Sequence, residues 1–472
     1  MLMRQSNITT SLLWLIIVFV LCTVTVNSYS YIVHILLVLA NIYSYIRCIS
    51  IWKSKGNSLL SLYTFFVLYM CASNLGQSIV SIIPGTMDEL SIYETFSIQE
   101  IISSLRFQLL CVAFMGLGTS FYIDRHKCNY SKHILQDAYL KKSEYRFPQQ
   151  LVLKTLFVVA FLFVFFDAFS YLSMRQTMGY MDAYTERQLD GIPMYMQLAN
   201  WLVIMLAFYF AYTKRYPKLI IFLFLMLVFI FLLCGNRSLT IKYLSFLMLL
   251  SPLVYPQYFK RKYWFLWGML LMGFIASLSL ISSARNDIGF AMQLSGGGTS
   301  FADMLLSSLS EMGGSAQTVI YTMQAIGQGF QHHLTQVYFM ITALTSSKLC
   351  YILGLGDQFL PLGEWVGSYA GIYSYGLGYS CVAEWFMNYG WFGCLFAGLY
   401  SYLITMMECV SYKNILRGRY LIPAVLLTFL ATQIFYARSS LFYALFDVRF
   451  GFWIIVIYKL VYYRKNYDSK SS

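Results

Sequence analysis

The chain has 472 residues, of which 59% are hydrophobic and only 11% are charged. A soluble domain carries about a quarter charged residues, so this composition excludes a water-exposed globule and requires most of the surface to face lipid. The formal net charge of +13 would suit a polyanion, but the Lys and Arg gather in alternate loops, as cytoplasmic loops do, which removes nucleic acid as a partner.

The first apolar run, residues 12–26, is followed at once by a second, 31–46. No small-residue cleavage site stands between them, so the first reads as an uncleaved span and not as a signal peptide. Arg47, Lys53 and Lys55 mark an inner loop. Residues 58–82 form the third span and lead to an outer loop with Asp88, Glu89, Glu94 and Glu100 but no basic residue. The fourth span, 101–122, returns to the most basic loop, Arg125 to Arg146. Spans follow at 155–174 and 194–212, then a tight hairpin of 219–233 and 239–254 turning on Gly235-Asn236-Arg237-Ser238. The ninth span, 264–281, opens a long loop, and the tenth, 382–407, closes it. Spans at 421–436 and 447–463 meet at an outer turn carrying Arg438, and the basic tail lies inside.

These elements make an all-α, polytopic membrane protein of about 12 transmembrane helices. Residues 1–472 form a single membrane domain, because such helices must pack on one another to hide their polar groups, and both termini are expected to be cytoplasmic. The large extracytoplasmic loop, 283–380, holds about half of the chain's 30 glycines and only two basic residues, Arg285 and Lys348. An unstructured loop of that length is unusual unless functional. Phe301, Met304, Leu305, Leu309 and Met312 recur at helical spacing beside serines and Glu311, the pattern of an amphipathic helix lying on the membrane surface. Residues 316–344 read as a second surface helix or a partial re-entrant one. Most cysteines sit in apolar runs as small hydrophobes. Cys350 lies in the loop, and Cys381, at a helix mouth, is its candidate partner.

Five arginines break the inside bias. Arg237, Arg285 and Arg438 fall at outer ends of spans, and Arg106 and Arg449 belong to the same layer. The planar guanidinium matches phosphate oxygens in two-point contacts, so the set suits a lipid-bound diphosphate. Ordinary ion pairing, Arg449 with Asp447, Arg285 with Asp287, or any of them with lipid headgroups, is the alternative. The run Gly378 to Gly393 contains Glu384 in the first turn of the tenth span and Asn388 one turn on. Glu384 reads either as a helix-start carboxylate or as a catalytic one. His332 and His333, the histidines of the large loop, are candidate general bases or an exposed polar pair. Asp167 is a weaker acid-base candidate. The tyrosines and tryptophans of the outer loops fit an interfacial belt. No phosphate loop, dinucleotide fingerprint, zinc motif or nucleophile elbow is present.

The topology, together with Gly235-Asn236-Arg237-Ser238, the Glu384-to-Gly393 stretch, Arg438-Ser439-Ser440, and Arg285 spaced from the Gly296-Gly297-Gly298 run, resembles the O-antigen polymerase (Wzy-type) family. The resemblance implies a GT-C-like architecture in the bacterial inner membrane, with the large loop periplasmic. It also implies a glycosyltransferase that joins undecaprenyl-diphosphate-linked oligosaccharide repeats, with membrane lipid and a chain-length regulator protein as further partners. Catalysis would then fall to His332, His333 or Glu384, and diphosphate binding to Arg237, Arg285, Arg438, Arg449 and Arg106. No cofactor or metal is expected if arginines supply the positive charge. A flippase or transporter of lipid-linked oligosaccharide and an O-antigen ligase remain alternatives.

Overall fold

The computed structural model describes residues 6–83, 86, 90–126, 150–179, 182–183, 193–213, 216–255, 301–330, 352, 362–371, 379–441, 445, 449–451 and 453. All regular structure among them is helical. Seven helices are long and apolar enough to cross a membrane, with shorter apolar helices at Pro217–Leu233 and Leu239–Ser251. The expected spans at 264–281 and 447–463 fall wholly or mostly outside the described residues, so a total of 12 is neither reached nor refuted.

The first group of helices is built around α5 (Ile98–Arg125), on which α1 (Asn7–Val24), α2 (Tyr31–Lys53) and α14 (Gly393–Leu416) all pack. A capping box starts α5: the Ser97 side chain accepts the Glu100 N–H while Glu100 accepts the Ser97 N–H, which satisfies two orphan donors. Polar side chains then stitch the interior. Asn41 donates to the Leu105 carbonyl (3.1 Å), Ser11 meets Ser120 (2.7 Å), and Thr119 meets both Tyr63 (2.7 Å) and Ser401 (2.8 Å). Small residues let backbones touch: a Cβ on Gly118 would stand 2.0 Å from the Gly398 carbonyl oxygen, the close approach that glycine permits between membrane helices.

The end of this group at which α1 begins and α5 stops is closed by two carboxylates. Asp124 accepts the Ile8 N–H (3.1 Å) and the Asn7 amide (2.9 Å) and pairs with Lys55 (3.4 Å). Glu408 of α14, completely buried, accepts the N–H groups of Leu62 (3.1 Å) and Tyr63 (2.8 Å) and the Tyr412 hydroxyl (2.6 Å). It thereby serves the free donors that begin α3 (Leu62–Val80).

A second group comprises α6 (Gln150–Met178), α7 (Met194–Tyr212), α8 (Pro217–Leu233) and α9 (Arg237–Val254). The two groups are joined by α15 (Leu421–Gln433) and the 3-10 turn Ile434–Arg438 that continues it. These pack on α14 and α3 on one side and on α7 and α9 on the other.

Shorter helices cover the opposite end. A short α4 (Ser91–Thr95) precedes α5, while α10 (Phe301–Met312) and α11 (Ser315–Gly327) come from the large loop. Both loop helices pack into the bundle: α10 on α3, and α11 on α3, α5 and α13 (Cys381–Tyr389). Gly76 of α3 meets the turn after α10 so closely that a Cβ on Gly313 would lie 2.3 Å from the Gln77 nitrogen. Side chains hold α11 in place, with Gln317 donating to Ser91 (2.6 Å), Gln324 to Glu100 (2.5 Å), and Tyr321 set edge-on to Phe96. A nine-residue helix, α12 (Leu362–Ala370), packs on α11.

Candidate functional site

Where the large loop rejoins the bundle, α13 does not run on into α14. Ser380 caps α13, accepting the Val382 N–H and donating to Asn74 of α3 (2.5 Å). Gly390 then takes a positive φ of 55°, open to glycine without strain, and a 3-10 turn Gly390–Phe392 follows. A Cβ on Gly393 would touch the Trp385 carbonyl oxygen, and Tyr389 stacks on Phe396 at 3.8 Å. Residues eight apart in a straight helix would be about 12 Å apart, so α13 folds back on the start of α14. The single expected span at 382–407 is thus broken, because Gly390 reverses the chain.

This fold-back carries Glu384 to the turn Ile434–Arg438. Glu384 is 1% exposed, and its Oε2 accepts the Leu441 N–H at 2.7 Å. Cys381, a free thiol, lies against the Ala437 carbonyl, and its expected partner Cys350 lies outside the described residues. Asn388 donates to the backbone carbonyl of Glu384 (2.8 Å), so it supports α13. Around the carboxylate, Trp385, Tyr400 and Tyr436 form an aromatic wall, Tyr400 and Tyr436 at 5.0 Å and Trp385 and Tyr436 at 6.3 Å. Tyr379, just before α13, bonds Thr322 of α11 (3.2 Å). Burial pushes its phenol well above the usual range, the Thr322 bond opposes this, and the negative charge of Glu384 adds to it.

Arg438 ends the same turn, half-buried, its side chain with no hydrogen bond or ion pair to any described residue. Arg237 opens α9, whose Asn236 cap accepts the Leu239 N–H (3.2 Å), and α9 packs against the Ile434–Arg438 turn. The fold therefore brings the helix that carries Glu384 and the helix that Arg237 opens onto the one turn that ends in Arg438, and α11 packs on α13 beside it. Arg449 is buried, donating to Gln197 of α7 (3.0 Å) and lying over the Phe450 ring. Its expected partner Asp447 lies outside the described residues, as do Arg285, His332 and His333. Arg106 stands apart, on the α1 side of α5, where the Cys22 thiol meets its carbonyl.

Two features escaped the linear reading. Arg175, at the end of α6, donates to the Leu233 carbonyl at the Gly235-Asn236 turn, and its last-turn position was the available signal. His34 is completely buried; its Nε2 lies 3.0 Å from the Ser81 hydroxyl and 2.9 Å from that of Tyr93, whose own hydroxyl donates to Ser81 (2.8 Å). Because Ser81 gives its proton to the Ser78 carbonyl (2.8 Å), this group clamps α4 to α2 and α3 and is not a nucleophilic pair. Burial pushes the Tyr93 phenol up to about 12, so it stays a donor.

A buried carboxylate, an aromatic wall and an arginine whose side chain has no partner among the described residues thus lie on neighbouring elements of a helical bundle. No curated protein and no solved structure matches the chain. The family described as O-antigen polysaccharide polymerase Wzy matches residues 7–466, nearly the whole length. The chain is an integral membrane protein and belongs to the O-antigen polysaccharide polymerase Wzy family.

Proposed function

We propose that the chain joins undecaprenyl-diphosphate-linked oligosaccharide repeats at the outer face of the inner membrane, in the neighbourhood of Glu384, Arg438 and the first turn of α9. A hydroxyl on the terminal sugar of one chain attacks the anomeric carbon of another. The new glycosidic C–O bond forms as the bond from that carbon to the diphosphate oxygen breaks, and undecaprenyl diphosphate leaves with the electron pair. The hydroxyl proton passes to a base, for which Glu384, His332 and His333 are the candidates.

The observation that carries this reading is Arg438, without a partner among the described residues, on a turn that Glu384 grips through Leu441. Negative charge grows on the diphosphate as its bond breaks. A fixed guanidinium therefore stabilises the transition state more than the ground state. Arg237 and Arg285 are assigned the same task, and with them the reaction needs no divalent ion. The orientation rests on the basic loops: with both termini inside, the Arg438 and Arg237 turns face outward.

Replacing Arg438, Arg237 and Arg285 singly by Gln is expected to leave single repeats on the surface and no long polysaccharide. Long chains from all three variants would overturn the assignment. A deletion strain separates the alternatives: single surface repeats mean a lost polymerase, whereas loss of all surface sugar means a flippase or a ligase.

A further inference from the structure

Arg106 is the buried cation that the neighbourhood of Glu384 does not use. It is 7% exposed, and among the described residues it pairs with no carboxylate. Its Nη2 donates to the Ser103 hydroxyl (3.0 Å), while its Nε is buried without a hydrogen-bond partner. The nearest acid along the helix, Glu100, is instead bound to Ser97 and to Gln324. A buried charge left in this state is costly, so the site is incomplete as a structural element.

The surroundings indicate what completes it. Both α1 and α14 pack on α5, leaving the half-buried Ser103 and Phe114 of α5 along the strip between them. One wall is Phe19 of α1, 45% exposed and set edge-on to Phe114; the other is Trp391 and Leu395, 45% and 52% exposed, with Trp391 edge-on to Phe107. Below the guanidinium the groove is therefore apolar and open to lipid. Its depth is that of a headgroup: the Cys22 thiol meets the Arg106 carbonyl, and Cys22 is two residues before the end of α1. With 28 residues α5 is about 42 Å long, against a hydrocarbon core of about 30 Å, so its first turns project beyond α1.

We propose that Arg106, positioned by Ser103, binds the phosphodiester of an anionic phospholipid whose acyl chains lie in the groove between α1 and the start of α14. Ser103 gives its own proton to the Gln99 carbonyl (2.9 Å) and accepts from Arg106, so it holds the guanidinium, whose remaining donors match a single negative charge and two acceptor oxygens. A diphosphate, with two or three charges, would call for a second cation, and none stands on this side of α5 among the described residues. The site is separate from the Glu384–Arg438 neighbourhood and holds whether or not that neighbourhood is catalytic.

The test uses the purified full chain in detergent, with native mass spectrometry and thermal melting on addition of phosphatidylglycerol or phosphatidylcholine. The wild type is expected to retain one phosphatidylglycerol and to melt higher with it than with phosphatidylcholine. Arg106→Gln is expected to weaken retention at least tenfold and to abolish the difference. If that variant does not fold, Ser103→Ala and Arg106→Lys decide the matter, each with a several-fold loss of retention. Equal retention by these variants and the wild type overturns the proposal. So does equal binding of phosphatidylcholine, or displacement of phosphatidylglycerol by equimolar polyprenyl diphosphate, which would make the groove a substrate site.

Discussion

Helices α5 and α6 are nearly equal in length, 28 and 29 residues, yet they occupy opposite environments. The most apolar stretch of α5 is 78% buried and that of α6 only 22% buried. The buried helix is the more polar one: Gln108, Thr119 and Ser120 of α5 all face protein. By contrast, Leu162, Phe163, Phe166 and Phe169 of α6 face outward. Lipid tails solvate Phe and Leu as well as a protein core does, but they offer no partner to an amide or hydroxyl. Polarity, and not hydrophobicity, therefore marks the inward face of this chain.

The sharpest way to break that contrast is to separate α5 from α14. Gly118→Leu places a side chain where the Gly398 backbone already stands, and neither backbone can yield without parting the helices. The expected loss is about 3 kcal/mol or more, read as a lower melting temperature or as failure to recover monodisperse protein in detergent. A variant that melts with the wild type would show that the α5–α14 contact is not what holds the first group together.

Glu384 gives the next largest effect and divides two roles. In Glu384→Ala the Leu441 N–H loses its acceptor, at a cost of about 1–3 kcal/mol for a buried donor left unmade. Glu384→Gln keeps an acceptor oxygen and should melt close to the wild type. If the carboxylate also takes the hydroxyl proton, the Gln variant loses about 10²-fold or more of polymerising rate while remaining folded. Full-length polysaccharide from the Gln variant would reduce Glu384 to a clamp on the Arg438 turn.

Most helices were legible because apolar runs bounded by basic loops leave few choices. The expected span at 194–212 coincides with Met194–Tyr212, and the hairpin turn at Gly235-Asn236 is where the glycine and the Asn cap put it. The helix at Phe301–Met312 followed from its periodicity, but its docking against Gly76 did not, since nothing in a helical pattern names a distant glycine as its seat. The reversal at Gly390 was hidden for a related reason. Residues 382–407 are apolar enough on average to read as one span, and only the positive φ at Gly390 distinguishes a fold-back from a long span. Among the site residues, the turn holding Arg438 and the nearby Glu384 were both visible as polar groups at outer ends. Arg106 shares their depth but faces α1, because a helix turns about 100° per residue and position along the chain does not reveal which neighbour a face will meet.

The smallest effects test whether inward polarity stabilises the bundle or only directs it. Gln108 is completely buried and neither atom of its amide has a partner among the described residues; the buried hydroxyl of Tyr45 has none either. Replacing such groups by apolar side chains of similar shape removes a desolvation cost without removing a bond. Gln108→Leu is therefore expected to raise stability by about 1 kcal/mol, and Tyr45→Phe by less, both as small increases in melting temperature. A decrease for Gln108→Leu would mean that ordered water bridges the amide, making the interior of α5 a hydrated seam. On α6, Phe166→Ala serves as the control: its side chain is 64% exposed, so the change should stay within about 0.5 kcal/mol. A larger loss there would place a protein surface against α6 instead of lipid and would undo the contrast between the two helices.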